Sequence, residues 1–449
     1  MAGAVTRRAM IVTALGTASL GALSACQQAR PAGTPERAGQ AARLQALTLQ
    51  AYGDTTVAQQ YEQVAAVFNQ QYQGRYRVTT TIFPFSEYID KTVSMVVAGN
   101  SPDVFNTWAQ YKMEWVRKGM LLDLTDRIKA SRKAGTSLFL DPMVEAMTYQ
   151  GKLWGTAQDF NGTLFYVNLD LFEQAGVSPP SDSWTMEDYR ELARRLTDKD
   201  KKLFGTTNIA NTNGSNNFAL MWNYGRHFWV SDDLSRALIN SPDSVAMHRF
   251  FQEMQFKDQS VPWRDNPLPT GLGHRQGIVA IFNAWGNEPF WIQDTAAREN
   301  RRPFRWKPMP FPRGPKDQKH FSQGHLWSIW SGHKKPDVAW VVAEWFGGID
   351  GWREWVKFHR QPLPVKDEEL WRTYYSFLPP QLAQQMTDFM VNKMYRGLAF
   401  NFQYWPTYGD CSRVVADALR KMYTDGAEVK AVLDEAAEQI NVILRQQPA

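Results

Sequence analysis

From residue 47 onward the spacing of apolar positions changes period repeatedly, and each change predicts an element. Leu47, Leu49 and Ala51 alternate with polar neighbours, which predicts a strand ending at Tyr52-Gly53-Asp54. Val57, Tyr61, Val64, Phe68 and Tyr72 follow at spacings of four, three, four and four, the repeat of a helix that buries one face. Tyr76, Val78, Thr80 and Ile82 alternate again, Ser86 to Gly99 reads as a helix closed by glycine, and Asp103 to Trp108 as a third strand. Successive β-α units predict a parallel or mixed sheet covered by helices, an α/β class. Ligands on such sheets sit beyond the carboxyl ends of the strands, here Tyr52–Asp54, Phe83–Phe85 and Thr107–Gln110.

The pattern continues downstream. Thr185 and Asp188 have the spacing of a capping box, and Ser241-Pro242 opens a further helix. "GIVAIFNAW" predicts a short buried strand, "PDVAWVVAEWFGG" a helix stopped at Gly347, and Ala427 to Gln446 an amphipathic helix. "TAQDFNGTLFYVN", residues 156–168, is less regular. Gln158, Asp159 and Phe160 precede Leu164-Phe165-Tyr166-Val167, so polar groups stand at the mouth of an apolar strand.

The first residues change the expected compartment. Arg7 and Arg8, a mildly apolar run from Ile11 to Ala25, and then Cys26 form the three parts of an export leader. The run is diluted by Gly16, Thr17, Ser19 and Gly21 and falls short of the ~20 apolar residues of a spanning helix. The paired arginines resemble a twin-arginine signal, although they also suit the general secretory route. "LSAC", Leu23 to Cys26, resembles a lipobox and makes Cys26 the expected lipidation site. Residues 26–43, rich in Gln, Ala, Pro, Gly and Arg, have no apolar period and are expected to be a flexible tether with a reach of ~20 to 25 Å.

Composition then narrows the function. Loss of residues 1–25 removes two arginines and no acids from a chain of net charge +5, leaving a weak, scattered positive charge that does not point to nucleic acid. Cys411 has no partner once Cys26 is lipidated, and no His-Glu-x-x-His repeat occurs, so no disulfide, metal or other cofactor is expected. The 449 residues exceed what one core usually supports, so two lobes are expected. Eighteen tryptophans are enough to line a cleft as well as fill a core. No Gly-x-Ser-x-Gly elbow or P-loop is present, and "GLGHRQG" has one residue too many for a dinucleotide fingerprint. A glycosidase would need two facing carboxylates; Glu288, Glu344, Glu354 and Asp410 exist, but spacing alone does not pair them.

Four ordered blocks carry a family resemblance: "AGNSPDVFNTWAQ", "GKLWGTAQDFNGTLFYVNLDLFEQAGVSPPSDSWTMEDYRELARRLT", "RQGIVAIFNAWGNEPFW" and "PFPRGPKDQKHFSQGHLWSIWSGHKKPDVAWVVAEWF". Together they resemble the bacterial extracellular solute-binding proteins of ABC importers, the carbohydrate type that includes maltose-binding proteins. The resemblance implies a two-lobe, type II periplasmic-binding fold with central mixed sheets. Its lobes would comprise residues 44–158 with 308–349 and residues 159–307 with 350–449. Crossings are expected near Trp154–Asp159 and Lys307–Pro312. It also implies a binding protein rather than an enzyme, a carbohydrate ligand, a membrane permease as partner, and a monomer held on the outer face of the membrane through Cys26. A glycoside-acting enzyme and a receptor for another polar solute, such as glycerol phosphate, are the alternatives.

A saccharide is gripped by planar amides and carboxylates at its edge and by aromatic rings on its C–H face. On that chemistry the resemblance assigns Asp54, Trp108, Gln110, Gln158, Asp159, Asn217, Trp222, Trp285, Gly286, His325, Tyr404 and Trp405 to ligand binding. Each has a structural alternative. Asp54 suits a helix cap, Trp108, Trp285, Tyr404 and Trp405 suit a core, and Asp159 suits a hinge ion pair. Gly286 would let a ligand approach the backbone. Asn216 and Arg360 are weaker candidates, and an arginine in the cleft would favour an acidic sugar or a phosphate.

Overall fold

The computed structural model describes residues 44–446 apart from 212–213, 263–272, 360–361 and 403. Eleven strands are present among them: β1 Gln45–Tyr52, β2 Tyr76–Phe83, β3 Val104–Thr107, β4 Thr148–Tyr149, β5 Lys152–Leu153, β6 Thr156–Asn168, β7 Phe204–Thr206, β8 Val279–Trp285, β9 Trp306–Met309, β10 His320–Ser328 and β11 Ala399–Asn401. Apart from the β4–β5 hairpin they join in one mixed sheet, ordered β2-β1-β3-β10-β6-β8-β7, with β11 beside β10 and β9 beside β6.

The first half follows the alternation of the chain. β1 pairs in parallel with β2, Gln45 opposite Tyr76 through Tyr52 opposite Phe83, and with β3 through Leu49 and Gln50. The intervening helix, Thr55–Gln71, buries Tyr61, Val64, Ala65 and Phe68, the stripe its spacing predicted. Downstream, the capping box at Thr185 and Asp188 is formed in both directions, and Ser241 caps the helix that Pro242 begins.

The strand β6 holds the two halves together. From Thr156 to Gly162 it runs antiparallel to β10, and from Thr163 onward it runs between β8 and β9. Its partners change at Gly162, a few residues beyond the expected crossing at Trp154–Asp159. The second crossing is also displaced. Lys307 and Pro308 are still paired to β6 within the second half, and the chain returns only between Pro310 and His320, before β10.

Two cores result, and β6 feeds both because strand side chains alternate. Leu164 and Tyr166 join the core that contains Leu49, Phe68, Phe105, Trp327 and Trp345. Phe165 and Val167 face the other, with Tyr189, Phe218, Ile281, Phe311 and Leu433. A strand covered on both faces must be apolar throughout, which is why "LFYV" lacks polar interruptions.

Helical stretches run Ile349–Trp355, Val356–Phe358, Glu368–Tyr374, Pro380–Thr387 and Asp388–Leu398, and the segment they belong to contacts both the first half of the chain and β6. Trp355 packs edge-on against Tyr61 with ring centroids 4.6 Å apart, and the Leu140 N–H donates to the Pro364 carbonyl at 2.8 Å. Tyr375 and Tyr395 donate their hydroxyls to the carbonyls of Gly286 and Phe160, at 2.9 and 3.1 Å. The segment therefore braces the crossing strands.

Candidate functional site: an aromatic cleft

The carboxyl ends of β1, β2 and β3 converge on a cavity of about 440 Å³. One wall carries Tyr52, Phe85, Trp108 and Gln110, the floor Asp159, Asn161, Gln323 and His325, and the facing wall Arg275, Trp285, Asn287, Glu288 and Trp291. The floor comes from the crossing strands β6 and β10, whose register sets His325 opposite Asp159. A groove of about 820 Å³ lies elsewhere, lined by Glu114, Lys118, Asp410 and Arg413 among others. Its charges are spent on surface ion pairs, Lys118 with Glu114 and Arg413 with Asp410, and none of the unpartnered buried side-chain polar atoms among the described residues lines it. The smaller cavity is chemically the better site because its walls do hold such atoms.

Two of them stand on one wall. The Trp108 indole N–H and the Gln110 amide oxygen Oε1 are buried and lack a hydrogen-bond partner. A buried polar atom left unpaired costs roughly 1–3 kcal/mol, which a hydroxyl-bearing ligand would recover.

The charges in the cleft are internally matched. Asp159 Oδ1 accepts from the His325 backbone N–H at 3.2 Å and lies 2.8 Å from His325 Nδ1, so the ring is held with its Nδ1 proton toward the carboxylate. Glu288 is only 4% exposed at its side chain and takes Arg275 bidentately, Nε at 2.5 Å and Nη2 at 3.0 Å, with His274 Nε2 at 3.1 Å. Burial pushes the Glu288 carboxyl up, but the bonds from His274 and Arg275 outweigh it and hold the group below its ordinary range. A glycosidase acid needs the opposite shift, so Glu288 is arranged as a clamped polar contact. Glu344, Glu354 and Asp410 do not line the cavity; they bind Ser131, Lys357 and Arg413 respectively.

Five sequence-predicted residues therefore line one cavity: Trp108, Gln110, Asp159, Trp285 and His325. The others are placed outside its lining. Asp54 is exposed and caps the helix Thr55–Gln71, Oδ1 accepting from the Val57 N–H at 2.8 Å. Gln158 points to the opposite face of β6 from Asp159 and donates to the Tyr61 hydroxyl at 3.4 Å. Asn217 is a core amide between the Ala210 carbonyl and the Trp229 indole N–H, at 3.3 and 2.9 Å. Trp222 packs on Phe228 and Phe400 and donates to Asp317. Gly286 faces Met390, and a Cβ there would lie 2.5 Å from the terminal Met390 Cε. Tyr404 stands one step behind the cavity and donates to Gln323 Oε1 at 2.7 Å, while Trp405 is buried beside Trp229 and Tyr408. Asn216 is likewise absent from the lining, and Cys26 and Arg360 lie outside the described residues.

Sequence reasoning did not single out the side chains of Tyr52, Phe85, Arg275, Glu288 and Trp291 as ligand contacts. The first two stand at strand ends that the alternation had marked. For the other three no local pattern exists, because the β-sheet and not the chain order brings residues 275–291 opposite residues 52–110.

Residues 63–368 match the family model of the bacterial extracellular solute-binding proteins. The chain belongs to that family. Solute-binding proteins of this family are exported binding proteins rather than enzymes. Similar structures include an ABC substrate-binding protein from Listeria monocytogenes solved with cycloalternan. It has a TM-score of 0.76 and 18% identity, with 90% of this chain and 100% of that chain covered. The cyclic alpha-maltosyl-1,6-maltose binding protein of Arthrobacter globiformis gives 0.69 at 19% identity, covering 90% and 99%. These likenesses show the two-lobe fold. By sequence, the chain is 22% identical over 230 residues to an arabinooligosaccharide-binding protein of Bacillus subtilis, a match that spans 50% of each. Among the described residues, no helix is long and apolar enough to cross a membrane, and no group of three His, Cys, Asp or Glu could hold a metal ion.

Proposed function

We propose that this solute-binding protein captures a carbohydrate in the cleft and hands it to the membrane permease of an ABC importer, working by closure of the lobes and altering no bond of its cargo. The observation that carries the reading is the pairing of aromatic walls with unsatisfied polar atoms. Trp285 and Trp291 face Tyr52, Phe85 and Trp108 across a space that also holds an unpartnered N–H and an unpartnered amide oxygen. Rings suit the C–H faces of a sugar and the polar atoms suit its hydroxyls. Micromolar capture needs only ~8 kcal/mol net, within reach of two stacked rings and several hydrogen bonds. The sugar-bound neighbours and the sugar-named relative support the same class.

The test is a thermal-shift and tryptophan-fluorescence screen with maltotriose, mannobiose, arabinotriose and glycerol 3-phosphate. A neutral oligosaccharide should raise the melting temperature and change the emission. Trp285→Ala should weaken that binding at least about tenfold, the loss of roughly 1.4 kcal/mol. Response to glycerol 3-phosphate alone would replace the carbohydrate reading, and turnover of any sugar would replace the binding one.

Lipid attachment at Cys26 would keep the receptor at the cell surface near its permease. Detergent-phase partitioning checks it: the exported wild type should enter the detergent phase and Cys26→Ser the aqueous phase. Equal partitioning of the two would remove the anchor from this scheme.

A further inference from the structure

Trp108, the obvious stacking residue of the cleft, has no free ring face. Tyr88, fully buried, lies nearly parallel to the indole with centroids 5.5 Å apart and 12° between planes. Phe85 lies 4.4 Å away at 23°, and the edge of Tyr52 closes in at 4.9 Å and 74°. The indole is therefore held between a buried ring and an exposed one, and is itself only 4% exposed. Its Nε1–H is also buried, without a partner.

Phe85 is its complement. It follows the carboxyl end of β2, lines the same cavity, and is 63% exposed. Large apolar side chains normally gain by burial, and this one sits over two aromatic rings, Trp108 and Tyr52, without being covered by them. Stacking on Trp108 holds the phenyl plane in place, so its outer face is presented in a fixed orientation at the mouth of a polar, hydroxyl-ready cavity.

We propose that Phe85, and not Trp108, supplies the apolar platform on which a sugar ring stacks. Trp108 supports that platform from beneath, stacked against the inner face of the phenyl ring. The inference rests on the carbohydrate reading above and assigns the roles within it.

Titration calorimetry of the full-length protein in detergent, with maltotriose, mannobiose and arabinotriose as probes, tests it. Phe85→Ala should weaken whichever probe binds by about tenfold or more, with the melting temperature of the free protein within about 2 °C because the ring is exposed. Phe85→Tyr should stay within about threefold of wild type, while Phe85→Leu, apolar but not planar, should remain as weak as alanine to within about threefold. Trp108→Phe keeps a supporting ring and should stay within about threefold of wild type. Wild type that binds none of the probes defeats the carbohydrate reading and the platform with it. Wild type that binds, with Phe85→Ala equally tight or Phe85→Leu fully restored, defeats the platform alone.

Discussion

At the scale of single residues, two aspartates show how one residue type takes two roles. Asp54 and Asp159 both stand near strand ends where a sugar contact was expected. Asp54 is exposed and spends its carboxylate on the Val57 N–H, closing an orphan donor of the helix it precedes. Asp159 is buried in the floor of the cleft and holds His325. The sequence left Asp54 open between cap and ligand contact, because a cap needs only the first turn behind it and a ligand contact needs the cavity in front. Asp54→Ala should therefore lower stability by ~1 kcal/mol, read from a urea midpoint, and leave sugar affinity within twofold or so of wild type. A loss of affinity without loss of stability would reverse the assignment.

At the scale of elements, the periods of two and 3.6 were legible wherever one face is buried and the other wet. The helix Thr55–Gln71 and the strands β1 and β2 are examples, and the Thr185–Asp188 box was legible because capping is local chemistry. β6 was legible as a strand, but where it changes partners was not, since pairing is made with β8 and β10, more than a hundred residues away in the chain. Gly162 marks that change. A Cβ there would meet Met394 Cε at 1.9 Å and the Phe321 carbonyl oxygen at 3.1 Å. Gly162→Ala should destabilise by roughly 1–3 kcal/mol through overpacking. Adding Met394→Ala should return part of that loss, a coupling that a double-mutant cycle in urea measures. Strictly additive effects would show that the methionine is not what confines the glycine.

At the scale of the whole molecule, buried histidines join elements distant in sequence and make stability depend on pH. His320 lies between a Thr163 carbonyl at 2.8 Å and the Phe311 N–H at 3.2 Å, and burial lowers it to about 4. His248, 2.8 Å from the Tyr423 hydroxyl, is lowered by burial to about 3. Both rings stay neutral in the fold while the unfolded chain takes up protons near its ordinary value of about 6.5. Their contribution is thus complete above about pH 6.5 and is lost as pH falls toward 4, at up to ~1.4 kcal/mol per pH unit for each ring. Urea midpoints at pH 7, 6, 5 and 4 should drop in that order; a flat series would mean the rings are not held neutral. The chain by itself determined the α/β class, the strands β1, β2, β3, β6 and β8, several of the helices, and the strand ends that border the cleft, because periodicity, caps and strand ends are written in neighbouring residues. Only the tertiary structure decided that Gly286 faces Met390, that Arg275 is held by Glu288, and that Trp108 is covered while Phe85 is bare. Those facts depend on which side chains the folded sheet brings within a few ångströms of one another, and contacts of that kind leave no period in the sequence.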